Sequence, residues 1–297
     1  MKIYYGILNN LIDVTNICFD KLKNNNVITI PNNDIKRSKY FTDPIRGILK
    51  QVFIEDNGVI TEYNDLTQIK INILDNSIQV TNDGQINTQI NNLHSKLFLN
   101  YGSFKDELPE QKMVVRYLKG NEKVLEIGGN IGRNSLIIAS ILNNNKNLIV
   151  LESNLNIAKQ LTENRDINNF DFNIECSALS NRKLIQSGWV TIPSDVLQEG
   201  YNWVDTITLV NLKSKYNFEF DTLVLDCEGA FYFILMDMPE ILNNVNLIIM
   251  ENDYLDISHK NYIDNILTKN NFYLEYFESG GWAPCYDNFF EVWKKNN

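Results

Sequence analysis

Acidic and small residues gather just beyond apolar runs in the later part of this chain, and their types and spacing suit the binding of a nucleoside. Residues 124–132 read Val-Leu-Glu-Ile-Gly-Gly-Asn-Ile-Gly, an apolar strand entering a glycine-rich turn. A second apolar run, Leu148-Ile149-Val150-Leu151, closes on Glu152-Ser153. Glycines at Gly128, Gly129 and Gly132 let the backbone pass close to a ligand. An acid that ends the following strand can accept hydrogen bonds from both hydroxyls of a ribose. Later runs end in Cys176-Ser177-Ala178, Asp226-Cys227-Glu228-Gly229 and Glu251-Asn252-Asp253. Ligands of open parallel sheets collect at the carboxyl ends of strands, so these groups are expected on one rim.

The same residues divide by chemistry. Asp226 and Glu228 lie two apart before a turn at Gly229 and are candidate proton acceptors. Of the two histidines, His259 falls near the expected rim and is the better candidate base, while His94 reads as a surface or helix-end residue. Asp226, Glu251 and Asn252 together would make a hard-oxygen set suited to magnesium or calcium. Trp282, within Gly280-Gly281-Trp282-Ala283-Pro284, would stack on a sugar or ring of an acceptor, with Glu228 and Glu251 as acceptor-side partners. The helix after Gly132 opens without a phosphate-binding lysine, which excludes a P-loop, and Asn130 holds the middle-glycine position of a dinucleotide fingerprint, which argues against a nicotinamide oxidoreductase.

Positioning such a rim requires strands alternating with helices. The periodicity predicts strands at 123–127, 148–151, 172–176, 222–226, 247–251, 272–277 and 288–293, with helices over 132–142, 154–168, 230–243 and 259–270. That rhythm predicts a mostly parallel sheet with helices on both faces, its last two strands forming an antiparallel hairpin at the sheet edge. Residues 1–85 have a different rhythm: Val27–Ile30, Ile48–Ile54, Ile69–Ile73 and Ser77–Val80 are short, β-branched runs between turn signals, as in a small sandwich or barrel. Residues 3–22 fit a strand or a helix equally. Residues 86–120 read as a helical connector, with Pro109-Glu110 opening a helix whose apolar face is Met113, Val114, Tyr117 and Leu118. The expected organisation is therefore a β-rich module (1–85), a helical connector (86–120) and an α/β domain (121–297).

In this order the motifs resemble the FkbM-type S-adenosylmethionine-dependent methyltransferases. That family opens with an acid-x-Gly-Ala-Asn-x-Gly turn, similar to Glu126-Ile127-Gly128-Gly129-Asn130-Ile131-Gly132 here. Glu152-Ser153 stands where the family has Glu-Pro, and the stretch from Asn164 to Asn168 and the segment Ala178-Leu179-Ser180 are also similar. The family's Asp-x-Glu-Gly-Ala signature is matched by Asp226-Cys227-Glu228-Gly229-Ala230, and its fifth strand ends in Glu, as at Glu251. Val224 and Phe231 depart from a common lysine and glutamate. The resemblance covers residues 123–255 and implies a Rossmann-like class I methyltransferase sheet behind the β-rich module. It implies S-adenosylmethionine as cofactor, with Glu126, Gly128, Gly129, Asn130, Gly132, Glu152, Ser153, Ser177, Ala178 and Asp226 along it. It also implies O-methylation of a carbohydrate or related small molecule, the alternative being an inactive methyltransferase fold serving glycan binding or assembly. Residues 1–85 are similar to modules of large-DNA-virus proteins and would recruit the acceptor or build a homo-oligomer.

Bulk composition narrows the classes. A formal net charge of −10 opposes a nucleic-acid partner, and Lys36-Arg37-Ser38-Lys39, the one compact basic stretch, reads as a solvated loop. Asparagine, roughly one residue in seven, sits in turns between patterned runs and fits a coding bias. The four cysteines form no Cys-x-x-Cys pair, which leaves a zinc cluster unsupported. Cys176 and Cys227 read as buried strand thiols in a reducing compartment. No apolar run reaches ~18 residues and no signal-peptide core forms at the N-terminus, so no membrane association is expected. A cytoplasmic protein is expected, in the host cytoplasm if the source is viral.

Overall fold

The structure, a computed structural model, describes residues 1–296. The chain divides into two compact units, Met1–Gln89 and a second from Ile90 onward. The first holds β1 (Lys2–Ile7), β2 (Asn10–Asp13), α1 (Thr15–Lys21), β3 (Lys23–Asn24), β4 (Val27–Ile30), α2 (Asp34–Phe41), β5 (Gln51–Asp56), β6 (Val59–Tyr63), β7 (Thr67–Asn72) and β8 (Ile78–Asn82). Two four-stranded antiparallel sheets, in the orders β2-β1-β5-β6 and β3-β4-β7-β8, share one core built from Ile3, Tyr5, Ile28, Ile30, Val52, Ile54, Ile69 and Ile71. The ambiguous stretch 3–22 resolves into both alternatives, two strands and a helix.

The basic stretch is not a solvated loop. It lies in α2, capped by Asn33, and Arg37 is fully buried. Its guanidinium donates to the carbonyls of Pro31, Asn64 and Thr67, so hydrogen bonds to backbone compensate for its desolvation. One position in this run thus ties α2 to the 64–67 turn.

The second unit begins with the end of α3 (Asp83–His94) and α4 (Leu108–Tyr117). Pro109 stands in the first turn of α4, and Met113, Val114 and Tyr117 are buried in the same core as the sheet beyond. The 86–120 segment is therefore partly a wall of the α/β unit. The Rossmann-like architecture follows: β9 (Val124–Ile127), α5 (Arg133–Ile141), β10 (Leu148–Leu151), α6 (Leu155–Ile167), β11 (Asn173–Glu175), β12 (Ala178–Leu179), β13 (Leu184–Ser187), β14 (Val190–Pro193), β15 (Asn202–Val204), β16 (Thr206–Ile207), α7 (Leu209–Tyr216), β17 (Thr222–Leu225), α8 (Ala230–Asp237), β18 (Leu247–Glu251), α9 (Ile257–Lys269), β19 (Phe272–Glu278) and β20 (Phe290–Lys295).

Seven strands form the main sheet in the order β11-β10-β9-β17-β18-β20-β19. The first five run parallel, and β20 runs antiparallel to both its neighbours. β9, β10 and β17 are buried at every position, as strands covered on both faces must be. The terminal hairpin does not simply add at the edge: β20 inserts between β18 and β19, leaving β19 outermost. Strand order reverses between β9 and β17, which opens the crevice where ligands of such sheets bind. The stretch between β11 and β17, not expected from the sequence, carries a small three-stranded antiparallel meander, β14-β13-β15, followed by α7.

Candidate active site

At the reversal, β9 ends in a turn that only glycine accommodates. Gly128 has φ +90°, and a Cβ there would lie 1.6 Å from the carbonyl oxygen of Asp226, so the β9 and β17 loops pass in backbone contact. Gly128 and Gly129 both donate to the Leu151 carbonyl at 3.0 Å, which pins the turn to the end of β10. Asn130 adopts φ +46°, a conformation asparagine tolerates, and its N–H points at Glu152. Gly129 and Gly132 are required by packing. A Cβ at Gly129 would meet Val150 Cγ1 at 2.1 Å, and one at Gly132 would meet Leu161 Cδ1 at 2.4 Å.

A cavity of about 520 Å³ opens beside this turn. It brings together Gly128, Asn130, Glu152, Ser153, Ser177, Ala178, Asp226, Glu228, His259 and Trp282. Glu126, Gly129, Gly132, Glu251 and Asn252 do not line it. Glu152 is the best-defined wall group. Its Oε2 accepts from Asn130 N at 3.0 Å and its Oε1 from Asn154 N at 2.7 Å. Burial raises its pKa and those N–H groups oppose the rise. A carboxylate offers about four lone-pair sites, so two remain for ligand hydroxyls. Ser177 turns its hydroxyl to Glu175, away from hydroxyl duty in the cavity, while Ser153 Oγ accepts from Gln186 on the meander at 3.3 Å.

The opposite wall is acidic. Asp226 follows β17, and Glu228 at φ +50° is a left-handed, strained residue two positions on. The Asp226 carboxyl is pushed up to about 8 by desolvation and by the nearby acids Glu107 and Glu110. Glu228, at the solvent-facing mouth, is pushed to about 8 by desolvation and by its hydrogen bond and charge interaction with Asp253. Both values suit proton transfer near neutrality. His259 stacks on Tyr232 with ring centres 3.8 Å apart, which fixes its plane at the cavity wall. Cys227 also lines the cavity and Cys176 sits just beyond β11, so both half-buried thiols lie past the strands rather than inside them.

Behind this wall lie further buried carboxyls. Glu126 is 2 % exposed, its Oε2 has no hydrogen-bond partner, and burial drives it up to about 8. Its register neighbour on β17 is Val224, where the resembled family carries lysine, so no cation stands beside it on that strand. Val224 and Phe231 are buried core residues outside the cavity lining, so these two departures leave the cavity wall untouched. Glu251 adjoins Asp226 across the sheet, one step past the Leu225–Met250 pair, and burial plus the acids Asp226 and Glu110 raise it strongly. Asn252 braces a neighbouring loop: its backbone N–H donates to the Phe289 carbonyl at 2.6 Å and its Nδ2 to the Asn288 carbonyl at 2.7 Å, holding the loop that bears Trp282. Among the described residues no group of three or more His, Cys, Asp or Glu side chains converges as a metal site; in the expected set of Asp226, Glu251 and Asn252, the Asn252 Oδ1 is buried without a hydrogen-bond partner.

Sequence reasoning missed the meander wall. Arg182, Gln186 and Trp189 line the cavity from this side, and Arg182 is held by Asp237 through bonds of 2.5 and 2.6 Å. The Gly188-Trp189 loop joining β13 to β14 is a two-residue turn, a signal present in the sequence. No signal marked Arg182, whereas Asp253, which closes the expected rim group Glu251-Asn252-Asp253, does line the cavity.

Solved structures to which the chain is similar include methyltransferases. The chain is similar to an O-methyltransferase from Bacillus cereus in complex with S-adenosylhomocysteine, at 14% identity and TM-score 0.42, covering 71% of this chain and 90% of that one. It is similar to the ribosomal protein L11 methylase of Lactobacillus delbrueckii subsp. bulgaricus, at 12% identity and TM-score 0.41, covering 67% and 82%. An rRNA methylase from Streptococcus thermophilus is similar at 8% identity and TM-score 0.41, covering 64% and 95%. No family model matches the chain, and no curated protein matches it. Among the described residues no helix is long and apolar enough to cross a membrane.

Proposed function

We propose that this cavity binds S-adenosylmethionine and that the chain methylates a hydroxyl of a neutral acceptor, a carbohydrate or related small molecule. The observation that carries the reading is the pairing of Glu152 with Gly128 across one cavity. A pre-positioned carboxylate with two free acceptor sites faces a turn stripped of side-chain bulk. Such a pair suits a ribose diol with a thin, extended substituent beside it. The ordered FkbM-like motifs point the same way.

The cofactor would bring a methyl group made electrophilic by a sulfonium cation. The chain's own residues bind and orient. Glu152 would hold the ribose, Ser177 and Ala178 would border the base, and Asp226 would sit near the cationic part, where negative charge is favourable. An acceptor hydroxyl loses its proton as its oxygen attacks, and Asp226, Glu228 and His259 line the same cavity as candidate acceptors of it. Alignment of two bound reactants can contribute about 7–11 kcal/mol without further chemistry. The cavity lining includes one basic side chain besides His259, Arg182, and Asp237 already neutralises it. That favours an uncharged acceptor over a phosphorylated one, with Trp189 and Trp282 at the wall as stacking surfaces.

Calorimetric titration with S-adenosylhomocysteine tests the cofactor, and product release across a panel of glycan and phenolic acceptors tests the chemistry. Binding in the micromolar range, weakened by Glu152→Ala, is expected. No binding to the intact chain would end the proposal, and binding without turnover on any acceptor would favour an inactive carrier of the fold.

A further inference from the structure

Polar side chains that the proposed reaction does not use stand behind the wall that carries Trp282. The loop between β19 and β20 bears Trp282 and rests on buried Phe289, with ring centres 5.3 Å apart. A Cβ at Gly281 would lie 2.2 Å from the Phe289 ring, so the backbone itself sits against that residue. Next in the chain, Asn288 donates through Nδ2 to Glu291 Oε1 at 2.8 Å. Glu291 lies on β20 and is 1 % exposed. Its Oε2 accepts from Trp293 Nε1 at 2.8 Å and pairs with Lys260 Nζ at 3.0 Å. Lys260, 2 % exposed, follows His259 on α9 and also engages Asp264. Asn252, just past β18, donates to the Phe289 and Asn288 carbonyls from the other side. None of Lys260, Glu291, Asn288 and Asn252 lines the cavity, but Asp253, His259 and Trp282, which they hold, all do.

A buried ion pair adds little stability over apolar side chains of the same shape. What apolar side chains lack is direction. A buried polar network whose members are hydrogen-bonded to one another holds a single arrangement. Both oxygens of Glu291 are engaged, one toward the Trp282 loop and one toward α9. Resting on the reading above, in which Trp282 and His259 border the acceptor, we propose that Lys260, Glu291 and Asn288 are positioning residues. They lock the Trp282 loop to α9, so that the acceptor meets the indole face and the imidazole at one fixed separation. The groups assigned to the cofactor, Gly128, Glu152 and Ser177, stand on other elements and do not depend on this lock.

Two variants test the lock from opposite ends. Asn288→Ala frees the loop from Glu291 without stranding a charge, at a half-buried position that tolerates truncation. Lys260→Met with Glu291→Gln removes both charges of the ion pair together. Thermal melts check that each folds, and Asn288→Ala decides alone if the double variant does not. Kinetics use the glycan or phenol that the unaltered chain turns over fastest. In each variant the KM for that acceptor rises about three- to ten-fold, as expected when one aromatic contact is displaced, while the KM for S-adenosylmethionine stays within about two-fold. In chains labelled with fluorotryptophan, the fluorine NMR signal of Trp282, assigned through Trp282→Phe, moves in both variants. An unmoved Trp282 signal, or an unchanged acceptor KM beside a lowered melting point, reduces the network to a stability element and overturns the inference while the adenosyl site stands. Equal weakening of acceptor and cofactor overturns it as well. If the unaltered chain turns over no acceptor, the inference falls with the function it rests on.

Discussion

Replacing Glu152 by alanine probes the geometry at its most exposed point. The side chain supports Asn130 N at 3.0 Å and Asn154 N at 2.7 Å, so its removal leaves two backbone donors without acceptors. Each orphaned donor costs about 1–3 kcal/mol of stability where water cannot reach it, and the variant should melt earlier. For the ligand, two charge-assisted bonds from ribose hydroxyls would contribute about 1.5–3 kcal/mol each, which together correspond to a loss of about a hundred- to ten-thousand-fold in affinity. A plain loss of binding would not separate a lost contact from a disturbed turn. The remedy is a cycle with the 2′-deoxy analogue of S-adenosylhomocysteine, measured by calorimetry on both proteins. The intact chain should lose about ten-fold or more on deletion of the hydroxyl, and Glu152→Ala should lose almost nothing further. If the deoxy analogue is disfavoured equally by both proteins, Glu152 does not touch the ribose and the placement of the nucleoside is wrong.

Three other outcomes follow from the same wall. Glu126 and Asp226 stand at about 8, above the range of carboxyls in an unfolded chain, so between about pH 4.5 and 8 the folded state binds more protons than the unfolded one. Their contribution is fully present below the unfolded values and is lost as pH rises through 8, so the ligand-free protein should lose about 1.4 kcal/mol per pH unit for each group, read from denaturant melts at pH 6 and 7; stability that rises over that interval would refute it. Val224→Lys places a cation beside Glu126 in register and should flatten that pH slope, whatever its cost in packing. Gly129→Ala, which restores the residue common in the resembled family, should destabilise by about 1–3 kcal/mol because its methyl would collide with Val150 Cγ1 at 2.1 Å, and Val150→Ala should recover part of that loss in a double-mutant cycle.

The main sheet was legible because its strands are short apolar runs bounded by glycine, asparagine or acid, and the expected strand limits fall within a few residues of those observed. Five strand ends deliver polar groups past their apolar runs, and that regularity made the cavity wall readable as well. What failed was anything decided by partners distant in sequence. Arg37 looks solvated until the carbonyls of Asn64 and Thr67 come around it. Gly129 and Gly132 carry a packing role as well, since Val150 and Leu161 fill the space beside them. The insertion of β20 between β18 and β19 is a pairing choice that hydrophobic periodicity does not encode.

The surplus of buried acid links these observations. A cluster of Glu107, Glu110, Glu126, Asp226 and Glu251 repels itself, and in the ligand-free chain protons relieve it alongside Arg133, which pairs with Glu107. A cationic ligand competes with those protons. Binding would therefore release protons near neutral pH, tighten as pH rises from 6 to 8, and stabilise the fold most where the free protein is weakest. A neutral adenosine fragment has no charge to exchange and should show none of this pH dependence. Calorimetry of S-adenosylmethionine in buffers of different ionisation enthalpy measures the released protons directly. No proton exchange would mean that the acids are already ionised without the ligand, and the wall would then have to be stabilised by something other than a cationic ligand.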